Sequence, residues 1–583
     1  MDKPHPVHPL KTRAKILLSG VFGPYSQDDA YGSRRINPME LYHNQVTRVQ
    51  GAFSLRMFHR SFGLMMMQAN IKAPCHLLDF PTLDRFIEEL QEKKYDIVGI
   101  SAITVNIGKV KKMCALVRQY LPHATIVIGG HIANKGGLEE TIDADYIVKG
   151  DGIKWFREFL GDDTDAPVTH PLTYSAHDTR ILGHTLREKP GDTAAILIPS
   201  VGCPVGCNFC STSALFGGKG NFINFYETGD ELYTVMLDIE KKLKVQSFFI
   251  MDENFLLHRK RALRLLELME AGNKSWALFV FSSARVIRSY TMEQLIGLGI
   301  SWVWMGLEGE ASQYRKLNDV DTHELVRSLQ DEGIRVLGSS IIGMENHTAV
   351  NIDRIIDYAI SHNTVFHQFM LYTPNPGTPL YEKHKKDGSL YDEAEFPTAD
   401  AHGQYRFNYR HKHISDGQEE QFILNAFQRD FDVNGPSLAR LIQTLLKGWQ
   451  KYKNCADKRI RERYRRETMP IRTTYAGAVW AMGRRFRRNK PLARKMKTLL
   501  GDIYHEFGLK TRIVTPVIGL YLYISLKREE KKLANDYCYE PAWFYEKNKA
   551  ALDWEKAEST RTVTRITELT GNIAQQTPVM NRY

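Results

Sequence analysis

The sequence predicts an α/β protein. It reads as an amino-terminal doubly wound Rossmann-like domain, a central partial (β/α)6 barrel of the TIM type and a mainly helical carboxyl-terminal region. Three observations predict it. Strand-like apolar runs alternate with amphipathic helical stretches across residues 14–180 and again across 190–400. Small residues gather just past the strand candidates, where a chain must turn or let a ligand approach closely. Beyond residue 401 the alternation stops, and basic and aromatic residues in helical patterns take over. The expected boundaries are 1–180, with an insertion near 20–73, then 190–400, then 401–583.

In the first region the buried-strand candidates are 15–19, 75–79, 97–101, 125–128 and 146–148, with helical patterns such as 83–94 and 109–120 between them. That order predicts a parallel sheet, and ligands of such sheets bind beyond the carboxyl ends of the strands. Ser101 and Thr104 follow one strand candidate, Gly129 and Gly130 the next, and Gly150 and Gly152 the last. No Gly-x-Gly-x-x-Gly turn follows any strand, which argues against a dinucleotide site. The insertion carries Met57, Met65, Met66 and Met67, read as core packing in preference to a cofactor lid. Residues 161–190, rich in Asp, Thr, Pro and His, read as a linker. In the second region the strand candidates are 194–200, 247–251, 278–283, 302–306, 336–342 and 366–372. Amphipathic stretches such as 261–271 and 348–361 separate them, and barrel chemistry sits at the carboxyl ends of such strands.

Of the 583 residues, 43% are hydrophobic and 25% charged, the composition of a soluble globular chain. The start is polar and basic, unlike a signal peptide. The apolar run near 513–526 is broken by Thr515, Pro516 and Gly519, too short for a membrane span, so a cytoplasmic protein is expected. Three of the seven cysteines lie within eight residues and the rest are scattered, which is no disulfide framework. The net charge of +11 concentrates in two runs, Arg459 to Arg472 and Arg484 to Lys497. These read equally as solvated helix faces or as contacts for an anionic membrane surface, an acidic partner or RNA.

The loop after the first barrel strand reads Gly202-Cys203-Pro-Val-Gly206-Cys207-Asn-Phe209-Cys210. It offers three thiolates and no local fourth ligand, since no histidine occurs between His184 and His258. A structural zinc needs four ligands. A Cys-x-x-Cys redox pair would leave Cys203 unexplained. A cubane iron–sulfur cluster on three cysteines leaves one iron open. This Cys-x3-Cys-x2-Cys loop resembles the signature of the radical S-adenosylmethionine (SAM) superfamily, including the aromatic Phe209. The resemblance implies a 4Fe–4S cluster on Cys203, Cys207 and Cys210, with SAM on the open iron and its reductive cleavage to a 5′-deoxyadenosyl radical. It further implies SAM contacts around the barrel rim. These are Glu253 and Asn254 after the second strand, Ser283 and Arg285 after the third, Glu308 after the fourth and Gly343 after the fifth. Pro374-Asn-Pro-Gly377-Thr378-Pro-Leu-Tyr381 resembles the closing turn of such enzymes.

Tyr95-Asp-Ile-Val-Gly-Ile-Ser101, Ile126-Val-Ile-Gly129-Gly130-His131 and Ala144-Asp-Tyr-Ile-Val-Lys-Gly150-Asp-Gly152 resemble the cobalamin-binding module in front of many radical SAM domains. The resemblance implies that Ser101, Thr104, Gly129, Gly130 and Gly150 meet the corrin. The Asp-x-His-x-x-Gly element of modules that ligate cobalt through histidine is missing from 22–32, as in many radical SAM relatives. His131 reads as a solvent-facing loop histidine.

With both cofactors, the resemblance implies cobalamin-dependent methylation of an unactivated carbon, with radical cyclisation or rearrangement as the alternative. An electron donor such as flavodoxin or ferredoxin is expected, acting with a small-molecule or lipid substrate. The apolar 511–526 stretch beside the basic runs fits either a helical cap on the barrel or a peripheral membrane contact and a hydrophobic substrate. Two rivals stand beside this. An RNA-modifying enzyme fits the charge, but methylthio-transfer relatives carry three more amino-terminal cysteines where this chain has only Cys75 and Cys114, so nucleic acid is not expected. A cofactor sensor would bind both groups without turnover.

Overall fold

The computed structural model describes residues 7–23, 30–31, 41–186, 193–308, 320–537, 539 and 542–557. Most of 22–32 and part of the 20–73 insertion lie outside them, as do 187–192 of the expected linker and the chain after 557.

The amino-terminal sheet runs Cys75–Asp79, Ile16–Gly20, Ile97–Ser101, Thr125–Gly129 and Tyr146–Ile147, all parallel. Its strands are apolar on both sides because both faces are covered. Leu17, Val98 and Ile126 pack with the helices Leu83–Glu92 and Ile107–Tyr120. Ile16, Leu18, Ile97 and Val127 pack with Phe62–Ala69 and Gly152–Phe159. The strand order reverses between Ile16–Gly20 and Ile97–Ser101, which opens a crevice at their carboxyl ends.

A strand that sequence reading did not anticipate, Phe544–Lys547, adds antiparallel to the edge at Cys75–Asp79. Tyr545 hydrogen-bonds Glu89 at 3.0 Å, and Asn548 donates to the carbonyls of Ile71 and Ala73. The carboxyl-terminal region thus returns to the first sheet and covers its edge. The expected linker also forms structure. His177–Ile181 and His184–Thr185 make a hairpin that pairs with Arg56–Phe58 of the insertion.

The central sheet has six parallel strands in sequence order: Ala195–Leu197, Ser247–Ile250, Ala277–Phe281, Ile300–Gly306, Arg335–Ile342 and Phe366–Leu371. Alternation sends Phe248, Ile250, Leu278 and Val280 outward against the helices. It sends Phe249, Phe279, Phe281, Trp302 and Trp304 inward, where their rings stack from strand to strand.

Five helices follow: Gln418–Asn434, Ser437–Tyr452, Lys458–Thr468, Thr474–Arg485 and Lys490–Leu533. The first basic run ties them to the barrel. Arg463 donates to Ile296 O at 2.7 Å, and Arg466 to Ser275 O at 2.7 Å. Ile296 lies at the end of the helix Met292–Gly297 and Ser275 in a loop, each just ahead of a barrel strand, so Lys458–Thr468 closes the amino-terminal end and leaves the carboxyl end for chemistry. The second run, with Arg484, Arg487, Arg488 and Arg494, stays exposed. The 511–526 stretch is a cap on one side only: Thr511, Thr515, Gly519, Leu522 and Leu526 are buried, and the opposite side is open.

Candidate cofactor site

The cysteine loop leaves the first barrel strand through Ser200–Val201, which pairs with Ile223–Asn224. Gly206 has φ 66°, and a Cβ there would sit 2.5 Å from Lys219 Cα, so the loop closes only on glycine. Cys210 N–H donates to Cys207 O, and Cys210 Sγ caps the helix Ser211–Leu215 through Ser213 N–H. Ser213 Oγ donates to Cys203 O at 3.0 Å. The Pro-Gly-Thr-Pro turn closes on this loop: Leu380 N–H donates to Asn208 O, and the Phe209 ring meets Tyr372 edge-on. All three thiols are half-buried. The Cys203 thiol is pushed up to about 11 by burial and by its neighbours Cys210, Cys207 and Glu253, so these groups share one volume.

Among the described residues, no three His, Cys, Asp or Glu side chains converge tightly enough for a single metal ion. A cubane spreads its ligands over separate corners, so three neighbouring thiols with no tight convergence suit a cluster. Cys75 and Cys114 are buried in opposite faces of the first sheet and cannot join in a second cluster.

At the second strand end, Asp252 is committed to Arg261 at 2.5 Å and Ser200 at 2.7 Å. Asn254 Oδ1 accepts from Ser282 Oγ and Ser283 N–H, locking the second strand end to the third. Glu253 differs. Its Oε2 is buried with no hydrogen-bond partner, and burial pushes the carboxyl up to about 8. A buried carboxyl with one unpartnered oxygen beside the cysteine loop fits a cationic amine such as that of SAM. Ser283 is buried and precedes the short helix Ala284–Arg288, on which Arg285 is exposed. Glu308 is buried against Gly306, where any Cβ would collide with it. Gly343 has φ 84°, and a Cβ would run into the Phe407 ring. Its N–H donates to His347 and its carbonyl accepts from Tyr409.

A cavity of about 620 Å³ lies between the sheet ends and this loop. On the module side it is lined by Ser101, Gly129, Gly130 and Gly150; on the barrel side by Thr212, Leu215 and Glu253. Thr104 is not among its lining residues, nor are Asn254, Ser283, Arg285, Glu308 and Gly343, which follow the barrel rim. At Gly130 a Cβ would stand 2.6 Å from Ala102 O with φ 84°, and Gly150 has φ 90°. These side-chain-free strand ends leave a flat floor to the cavity, of a kind that fits a corrin.

Two sequence expectations change here. Met65 and Met66 are core as expected and Met67 packs against the core, but Met66 and Met67 also line the cavity, because the helix Phe62–Ala69 lies across the crevice. His131 also lines it and bonds Thr212 Oγ1 at 3.2 Å, while Asn134 Nδ2 donates to Ser211 O. The module's loop therefore grips the helix that leaves Cys210. Sequence signals existed for both, in a methionine pair on a short helix and in a Gly-Gly-His turn, but their facing depends on how the two sheets pack.

Fold and site together describe an α/β module of the corrin-binding type ahead of a partial barrel that carries a three-cysteine loop at its carboxyl end. Comparison with known proteins finds relatives of the same architecture. The B12 binding domain family matches residues 54–160. Bacteriochlorophyllide d C-8(2)-methyltransferase of Chlorobaculum tepidum is 22% identical over 366 residues, 57% of this chain and 77% of that relative. Anaerobic magnesium-protoporphyrin IX monomethyl ester cyclase of Cereibacter sphaeroides is 23% identical over 367 residues, 55% of this chain and 58% of that relative. The radical SAM methyltransferase TsrM from Kitasatospora setae, solved with cobalamin and a [4Fe–4S] cluster, shares the fold. Its TM-score is 0.50 at 15% identity, covering 78% of this chain and 99% of that one. The chain thus carries a match to the B12 binding domain family, resembles these methyltransferase and cyclase relatives, and shares the fold of a cobalamin-dependent radical SAM methyltransferase.

Proposed function

We propose that the enzyme methylates an unactivated carbon of a small, hydrophobic molecule, using SAM, a 4Fe–4S cluster and cobalamin. One observation carries this reading: the corrin-type strand ends share a cavity with Val201 and Thr212, which bracket the cysteine loop, and with Glu253, so methyl donor and radical source would act close to one substrate carbon. When bound, the cluster supplies the electron that splits SAM into a hydrogen-abstracting radical, and cobalamin supplies the methyl group. Cys203, Cys207 and Cys210 would hold the cluster, and Glu253 would orient the SAM amine. Ser283, Arg285 and Glu308 would bind the rest of SAM around the rim. Asn254 would fix the second and third strand ends, and Gly343 would make the turn behind the adenine. Ser101, Gly129, Gly130 and Gly150 would seat the corrin, with Thr104 one turn behind. Met66, Met67 and Phe281 give that cavity apolar walls, which keep water from a radical. An external one-electron donor such as flavodoxin or ferredoxin would reduce the cluster.

The relatives named as a methyltransferase and as a cyclase fit the two outcomes of such chemistry. The test is anaerobic reconstitution with iron, sulfide and hydroxocobalamin, followed by reduction in the presence of SAM and candidate substrates. 5′-Deoxyadenosine together with S-adenosylhomocysteine is expected; 5′-deoxyadenosine alone with a substrate consumed would point to cyclisation. Replacing Cys203, Cys207 and Cys210 by alanine is expected to abolish cluster absorbance and SAM cleavage together. A triple variant that still cleaves SAM would contradict the reading.

A further inference from the structure

The helix Lys490–Leu533 is broken at Gly508, whose φ of 73° and ψ of −160° start a second helical segment. On one side of that segment Leu509, Ile513, Val517 and Tyr521 recur every fourth residue, and they are 71, 63, 72 and 63% exposed. Leu520 and Ile524 extend the stripe. The other side is packed: a Cβ on Gly519 would sit 2.6 Å from the Trp480 ring of the neighbouring helix Thr474–Arg485. Soluble monomers seldom leave a contiguous apolar stripe of this length open.

The stripe has basic ends. Lys510 and Arg512 flank its first turn, Lys527, Arg528 and Lys531 follow it, and Arg484 lies alongside over the Tyr523 ring. The nearby carboxylates are already engaged. Glu506 is held by Lys453 and Trp449, Glu529 is buried on Tyr539, and Glu530 is held by Lys527 and Arg485. The face is therefore apolar along its middle and cationic at its rims, which complements an anionic lipid surface.

We propose that this face docks on an anionic bilayer, with the helix lying in the interface. Spanning does not fit. The uncharged stretch from Ile513 to Leu526 is 14 residues, about 21 Å at helical rise against a hydrocarbon core of about 30 Å. A second copy of the chain does not fit either, because a two-fold pairing of this stripe would set basic ends against basic ends. The inference is independent of the methylation reading, since docking needs neither cofactor nor turnover.

The test is flotation of the full chain with phosphatidylcholine vesicles, with and without phosphatidylglycerol, combined with light scattering of the free protein. Recruitment by the anionic vesicles alone, weakened by salt, is expected. The double variant V517E/L520E, with unchanged circular dichroism, is expected to lower partitioning by at least about tenfold. R528Q/K531Q, which leaves the stripe intact, is expected to weaken binding to anionic vesicles in the same direction. Absence of flotation with anionic vesicles, or equal recruitment of wild type and both variants, would overturn the proposal. A dimer that V517E/L520E dissociates, without flotation, would replace it with a self-association surface.

Discussion

At the scale of single residues, the site depends on positions where a side chain is forbidden as much as on those that bear one. Gly130→Ala places a methyl group 2.6 Å from Ala102 O at a φ of 84°. Relief requires moving the strand end that forms the proposed corrin cradle. The expected outcome is at least an approximately tenfold loss of bound cobalamin after reconstitution, with iron and sulfide content unchanged; corrin absorbance and metal analysis on the same sample check it. The cysteines and the glycines after the strands were legible because they are contiguous text whose chemistry is local. Met66, Met67 and His131 were not. A methionine on a short helix has the same pattern whether it meets core or cavity, and only the docking of two sheets decides.

At the scale of elements, the basic runs divide by what their helices face. Arg463 is buried, with Nη1 on Ile296 O and Nε 3.8 Å from Glu467. Arg463→Ala would leave a buried carbonyl short of a donor and a buried carboxylate with one cation fewer. It is expected to cost roughly 2–4 kcal/mol, read from the urea midpoint. Arg487→Ala, at an exposed position, is expected to change stability by less than about 0.5 kcal/mol. Both central sheets were legible, since parallel strands read as short apolar runs between amphipathic helices. Phe544–Lys547 was not: Phe-Tyr-Glu-Lys alternates no more than many loops do, and its partner Cys75–Asp79 lies at the other end of the chain. A chain ending before Phe544 is expected to expose that sheet edge and lose cobalamin on gel filtration while its cluster is retained.

At the scale of the whole molecule, several histidines are buried in the neutral form. Burial lowers His170, His347, His362 and His402 to about 4 and His367 to about 3. Their folded values lie below the unfolded one of about 6.5. Their contribution is therefore complete above that pH and is lost as pH falls from 6.5 toward 4. The urea midpoint is expected to drop over this window, and His367→Gln to flatten the slope by up to about 1.4 kcal/mol per pH unit.

The central claim is also at this scale: a module and a barrel, each readable in the sequence, meet so that the proposed corrin site opens beside the residues that flank the cysteine loop. Electron paramagnetic resonance of the protein reconstituted with cob(II)alamin tests it most directly. The claim predicts that reducing the cluster speeds relaxation of the cobalt signal through spin–spin coupling. It also predicts that the effect vanishes when Cys203, Cys207 and Cys210 are alanine. A cobalt signal whose relaxation is the same with the cluster oxidised, reduced or absent would contradict it.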